Sequence, residues 1–154
     1  MFQNHRRSGI KYICIGADHR GFYLKKKLCT YMYYNRIPYV DLGCYADQAP
    51  SDYPDIVVEL NKYIESIGIL ICNTGIGMSI AANKTKKLYA ALCINEDMAK
   101  SARNHNNANT LIIGAKYTSI TELIKMLNIF LKENFLLEER NLRRLKKVKV
   151  LEIE

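Results

Sequence analysis

Apolar and polar positions along this chain follow two alternating periods. Five short apolar runs have strand length and β-rich composition: K-Y-I-C-I-G-A at 11–17, Y-V-D-L at 39–42, I-G-I-L-I at 67–71, Y-A-A-L-C-I at 89–94 and T-L-I-I-G-A at 110–115. Runs of this kind are expected of strands buried on both faces. Between them lie stretches with helical spacing. These are 22–34, with apolar Phe22, Leu24, Leu28 and Met32; 55–66, with Pro54 at its start; and 78–84, 96–103, 119–133 and 138–152. The polar segments 43–54 and 104–109, the latter reading N-H-N-N-A-N, are rich in turn formers. Strands alternating with helices predict an α/β fold with a mostly parallel sheet covered on both faces.

The stretch 67–84, I-G-I-L-I-C-N-T-G-I-G-M-S-I-A-A-N-K, combines strand, glycine turn and helix in that order. This arrangement presents backbone N–H groups to an anion at a helix N-terminus. Cys72, at the first turn position, faces the same positive end, a setting in which thiols become reactive. The turn lacks the Gly-Lys-Ser/Thr ending of a nucleotide P-loop. It also lacks the third glycine of the dinucleotide fingerprint and follows the third strand rather than the first. Nucleotide binding is therefore disfavoured.

Composition narrows the class. With 154 residues, 49% of them apolar and 25% charged, the chain suits a single domain, residues 11–154, after a flexible extension at 1–10. No apolar run reaches membrane-spanning length, and the opening M-F-Q-N-H-R-R-S-G has no signal-peptide hydrophobic region. Five cysteines without CxxC spacing indicate neither a disulfide frame nor a zinc site. A reducing compartment, the cytoplasm, fits best. The net charge of +8 raises nucleic acid, membrane surfaces and anionic metabolites as partners. Much of it lies at the ends, in Arg6 and Arg7 and in Arg140, Arg143, Arg144, Lys146, Lys147 and Lys149, where a solvated basic helix accounts for most of it.

Sites in open α/β sheets form outside the carboxyl ends of the strands. There the sequence places Asp18, His19, the Tyr53 loop, Cys72 with its nest, and Lys116. An acid, an imidazole, a phenol, a thiol and an anion nest suit proton transfer on a small anionic molecule.

Together, G-A-D-H-R-G-F, S-D-Y-P-D, I-L-I-C-N-T-G-I-G-M-S-I-A-A-N-K, A-R-N-H-N-N-A-N and the late Arg140 and Arg144 resemble ribose-5-phosphate isomerase of type B, whose wider family includes galactose-6-phosphate isomerase subunits. The likeness runs from about Lys11 to Leu145. It implies a Rossmann-like three-layer fold with a five-stranded parallel sheet, helices on both faces and a C-terminal helix. It further implies aldose–ketose isomerisation through an enediolate, no metal or organic cofactor, and a homodimer or homotetramer with active sites shared between subunits. By resemblance Cys72 is the base, and His105 assists ring opening with Asp18 or Thr74. Amides around Asn73, Gly75 and Gly77, with Asn106, stabilise the oxyanion. His19, Arg140 and Arg144 hold the phosphate, and Tyr53 lines the pocket. Cys14, Cys29 and Cys93 read as buried small hydrophobes, and His5 as a surface residue. The chain departs from the family's pattern at Asn73 (usually glycine), Asn141 (often histidine) and Lys116 (often arginine).

Two rival readings are an isomerase of a six-carbon sugar phosphate and a non-catalytic sugar-phosphate or nucleic-acid binder. The set Cys72, His105 and Asp18 argues against the second, so neither nucleic acid nor membrane is an expected partner. Topology also bears on the subunit arrangement. Cys72 ends the third strand at the carboxyl edge, whereas the helix after the fourth strand carries the chain ~15 Å back across the sheet to His105. His105 should therefore lie far from its own Cys72, and if both act on one substrate it must come from a partner subunit.

Overall fold

Residues 66–72 are buried at every position, and a strand enclosed in that way needs cover on both faces. The computed structural model describes residues 12–46, 50–63 and 65–151; the expected N-terminal extension, 1–10, lies outside them. Its strands are β1 (Tyr12–Ala17), β2 (Val40–Asp41), β3 (Ser66–Cys72), β4 (Ala90–Leu92) and β5 (Thr110–Gly114). Its helices are α1 (Phe22–Tyr34), α2 (Tyr53–Leu60), α3 (Ile76–Asn83), α4 (Glu96–Asn106), α5 (Ile120–Lys132) and α6 (Glu139–Val150). The strands form one parallel sheet in the order β2-β1-β3-β5-β4.

Because strand side chains alternate between faces, each strand feeds two cores. Ile67, Ile69 and Ile71 of β3 pack with Leu24, Leu28 and Met32 of α1, Ala99 and Ala102 of α4, and Leu123, Met126, Leu127 and Phe130 of α5. Leu70 and Cys72 point the other way, to Ile56, Val57 and Leu60 of α2 and Met78 and Ala82 of α3. The three layers expected from the sequence are present. Alternation also decides the orientation of Cys72, whose side chain lies on the α3 face. Among the described residues, no helix is long and apolar enough to cross a membrane.

Two helix boundaries depart from expectation by more than two residues. The helix expected over 55–66 ends at Leu60, and Ser66 belongs to β3, paired with Tyr12. The turn between them uses Glu65 at φ 61°, and Ser66 Oγ donates to the Tyr63 carbonyl. The helix expected over 96–103 continues to Asn106 and stops only at Asn107, which takes the left-handed conformation at φ 51°. Asparagine adopts that conformation more readily than most residues, so a stretch rich in turn formers extends the helix by a turn. His105 and Asn106 thereby sit in its last turn.

Lys25 of α1 is buried. Its Nζ lies 2.5 Å from Asp41 Oδ1, and the two side chains are 3% and 33% exposed. The same carboxylate oxygen accepts the Gly43 N–H at 2.9 Å. Gly43 O in turn accepts from Ala17 N, and Cys44 N donates to Ala17 O. The pair therefore straps the loop after β2 across the end of β1, next to Asp18. Asp41→Asn would leave a buried ammonium without its counter-ion. Urea unfolding should show a loss of about 3 kcal/mol, the low end for a broken buried pair because Asp41 is partly solvated. Adding Lys25→Met should recover at least half of that loss. Equal losses in the single and double variants would show that the two side chains are not coupled.

Candidate active site

At the carboxyl edge of the sheet, Cys72 is 4% exposed, and its Sγ accepts the Gly75 N–H at 3.1 Å. Gly75 caps α3 in the left-handed conformation at φ 81°. The conformation calls for glycine, and a Cβ there would also meet Leu92 Cδ1 at 2.4 Å, so that side chain would have to move. The turn is fastened to the neighbouring strand, with Ala115 N donating to Cys72 O and Lys116 N to Asn73 O. Gly114 leaves room for the Thr74 carbonyl, which would lie 2.6 Å from an added Cβ. Asn73 is not among the residues with positive φ. Asparagine in place of the family's glycine therefore costs no backbone strain, and its exposed side chain stands at the rim beside Cys72. Thr74 Oγ1 accepts from Ile76 N at 3.4 Å, closing the turn.

Strand register brings Asp18 to this edge. Ala17 pairs with Ile71, and Asp18 N donates to Ile71 O, so Asp18 follows β1 where Cys72 follows Ile71 in β3. Asp18 is buried, and its Oδ1 accepts the N–H groups of both Arg20 and Gly21 at 2.9 Å. The carboxylate thus caps the turn into α1. His19 is half-buried, with Nδ1 3.3 Å from the Ser51 carbonyl. Tyr53 opens α2 and lays its ring against Gly77, where an added Cβ would lie 2.9 Å from the ring carbons. Lys116 is exposed, with its Nζ over the Tyr117 ring.

The remaining expected residues gather elsewhere. A cavity of about 520 Å³ is lined by His105, Asn106, Arg140 and Arg144, together with Asn83 and Asn141. None of Cys72, Asp18, His19 or Tyr53 lines it. It opens at the other end of the sheet, where Ala90 of β4 pairs with Thr110. Cys72 is level with Gly114 at the far end of β5, four residues away, or ~13 Å at strand rise. Arg140 Nε holds Glu138 Oε2 at 2.8 Å in an exposed pair that an incoming anion could displace. The structure thus divides the expected residues into two groups. The nest holds a thiol with a carboxylate, imidazole and phenol nearby, while the cavity holds an imidazole, a carboxamide and two guanidinium groups.

Burial pushes the Cys14 and Cys93 thiols up to about 11, with Ser66 partly offsetting the rise at Cys14. Burial likewise raises Cys29. These thiols stay protonated at neutral pH, consistent with their reading as small hydrophobes. Sequence reasoning missed Ser51 as the anchor of His19, and Asn83 and Asn141 as cavity walls. Asn141 is the one buried residue of α6 and donates through Nδ2 to the Leu136 carbonyl. Its position between Arg140 and Arg144 and its place where the family often has histidine were the available signals.

The model of the ribose/galactose isomerase family matches residues 13–148. A probable ribose-5-phosphate isomerase B of Mycoplasma genitalium is 39% identical over 128 residues, covering 80% of this chain and 84% of its own. The solved ribose-5-phosphate isomerase B of Clostridium thermocellum superposes with a TM-score of 0.86 at 33% identity, covering 93% of this chain and 98% of its own. The crystal structure of the Mycoplasma genitalium enzyme with bound ribulose-5-phosphate gives a TM-score of 0.83 at 37% identity, covering 94% and 99%.

Gly75→Ala tests the nest. Non-glycine residues in left-handed backbone cost ~1–3 kcal/mol, and the contact with Leu92 adds to that. The variant should unfold at lower urea, and its Cys72 should be alkylated at a changed rate because a displaced turn carries the backbone N–H at position 75 away from Sγ. Parental stability and alkylation rate would show that the left-handed turn is dispensable.

Proposed function

This chain belongs to the ribose/galactose isomerase family, and we propose that it is an aldose–ketose isomerase interconverting ribose 5-phosphate and ribulose 5-phosphate. The observation that carries this reading is the division of chemistry between nest and cavity, on a fold that the Mycoplasma genitalium relative presents with ribulose-5-phosphate bound. Cys72 removes the proton from C2 of the open-chain aldose, O1 gains a proton while the C2 hydroxyl gives one up across the enediolate, and a proton is returned to C1, so the carbonyl moves from C1 to C2. Amides of the turn at Asn73, Thr74, Gly75 and Gly77, with Asn106, carry the charge that develops on oxygen. His105 transfers protons during ring opening, with Asp18 and Thr74 on the nest side. His19, Arg140 and Arg144 clamp the phosphate, and Tyr53 walls the pocket. Five unpaired thiols suit a reducing cytoplasm.

A single copy keeps these groups apart, and α3 suggests how two copies join them. Its N-terminus carries the Cys72 turn, and its last residue, Asn83, lines the cavity. One turn apart on its surface, Ile76 and Ile80 are 57% and 60% exposed. Eight residues span ~12 Å, close to the separation of the two groups. Two α3 helices packed antiparallel across a two-fold axis would bury the isoleucines and set each Cys72 beside the partner's cavity.

The purified protein should interconvert the two pentose phosphates. Cys72→Ala should lower turnover by ~10²–10⁴-fold, the usual contribution of an acid–base group, with inorganic phosphate still bound. Near-normal turnover of that variant, with solvent hydrogen incorporated into product, would remove Cys72 from the role of base. Greater turnover on a six-carbon phosphate would reassign the substrate.

The shared site has its own test. Cys72→Ala and His105→Ala, each nearly inactive, are unfolded and refolded together. A mixed dimer would hold one doubly damaged and one intact site, so activity should rise above either parent. Mixed dimers that form and stay at parental activity would confine each site to one subunit.

A further inference from the structure

His105 and Asn106 are exposed at the end of α4, on a joint that must be stiff if it is to place them. The chain upstream is fixed by the helix, with Asn107 N bonded to Arg103 O and Ala108 N to Ala102 O. The chain downstream is fixed by Asn109, whose Oδ1 accepts Tyr89 N and whose Nδ2 donates to Lys87 O. Between these clamps lie the left-handed Asn107 and then Ala108, which lines the cavity. Arg103 reaches this joint from inside the protein. It is 8% exposed, its guanidinium carbon lies 5.4 Å from the Phe130 ring centroid, and Nη1 donates to the Ala108 carbonyl. Nε is buried without a partner, and none of the ion pairs among the described residues includes Arg103.

For stability alone this is a poor choice. Burial lowers the pKa of this guanidinium, and well-packed apolar side chains often replace buried charges at no loss. What the guanidinium adds is a charged donor on one particular carbonyl, in the favourable position for a cation at a helix C-terminus. The neighbouring residue extends the same joint outward. Asn104 O accepts Leu136 N, and Leu136 O accepts Asn141 Nδ2 on α6.

We propose that Arg103 is a positioning residue: by holding the Ala108 carbonyl it locks the left-handed turn that aims His105 and Asn106 into the cavity. This inference rests on the reading of His105 and Asn106 as parts of an isomerase site. Arg103 touches no substrate in it and acts only through the joint.

The test is Arg103→Met, which keeps length and packing but not the donor. Turnover per folded molecule should fall ~10–100-fold, the scale of a small misplacement of reacting groups. KM should change by less than about threefold, because the phosphate clamp remains. Arg103→Lys, which keeps a charged donor, should regain part of the turnover. In NMR spectra, the ring signals of His105, assigned with His105→Ala, should shift or broaden in Arg103→Met, while those of His19 stay in place. A lower melting temperature with parental turnover and unmoved His105 signals would overturn the proposal and leave Arg103 as packing only. Should Arg103→Met fail to fold, Arg103→Lys decides: reduced turnover at constant KM supports the role, and parental turnover overturns it. A parent protein without isomerase activity would defeat the functional reading instead, and the His105 signals would then decide the role of Arg103 by themselves.

Discussion

Gly75 turns from strand to helix at φ 81°, with Leu92 packed where a side chain would go. That one conformation sets the rest of the nest. It directs an amide onto the Cys72 sulfur, starts α3, and lets the Thr74 carbonyl come down on Gly114. The bonds from Ala115 N to Cys72 O and from Lys116 N to Asn73 O then hold the turn rigidly against the loop after β5. The bonds that hold the turn are all within the chain, the condition under which an anion would bind with little loss of conformational entropy.

Parallel β-structure accounts for the division of the site. All strands point one way, so loops following strands and loops preceding them lie at opposite ends of the sheet. Cys72, Asp18 and His19 follow strands, whereas His105 and Asn106 precede one. No rotamer change closes a gap of ~13 Å. Chemistry that needs both groups must borrow one from a neighbouring molecule, and α3 runs between the two ends.

Two buried cations are used in different ways. Lys25 has its counter-ion in Asp41 and straps the β2 loop onto the end of β1. Arg103 has only a carbonyl and a ring face. Each ties a turn next to site residues to a helix of the α1, α4 and α5 face. The layer facing away from the Cys72 thiol thus sets the positions of groups at both ends of the sheet.

The run pattern alone determined the α/β class and the order of elements, because strands buried on both faces must be apolar throughout and covering helices must be amphipathic. It located α1 at Phe22–Tyr34 and made Cys72 the outstanding thiol, since a cysteine between an apolar run and two glycines has few other readings. Motif order marked His105, Asn106, Arg140 and Arg144, and connectivity already set His105 apart from Cys72. Tertiary structure decided what depends on residues distant in sequence. The strand order β2-β1-β3-β5-β4 reflects which surfaces fit, and no local signal encodes it. The burial of Lys25 depends on Asp41, 16 residues away, and a lysine in a helical stretch reads as solvated until that partner is known. Asn73 stands where the family usually has glycine, yet the left-handed position of the turn is Gly75, which only the folded backbone reveals. Arg140 and Arg144 had no assigned end of the sheet until α6 docked beside α4, with Asn141 bonded to the Leu136 carbonyl and Leu136 N to Asn104 O of α4.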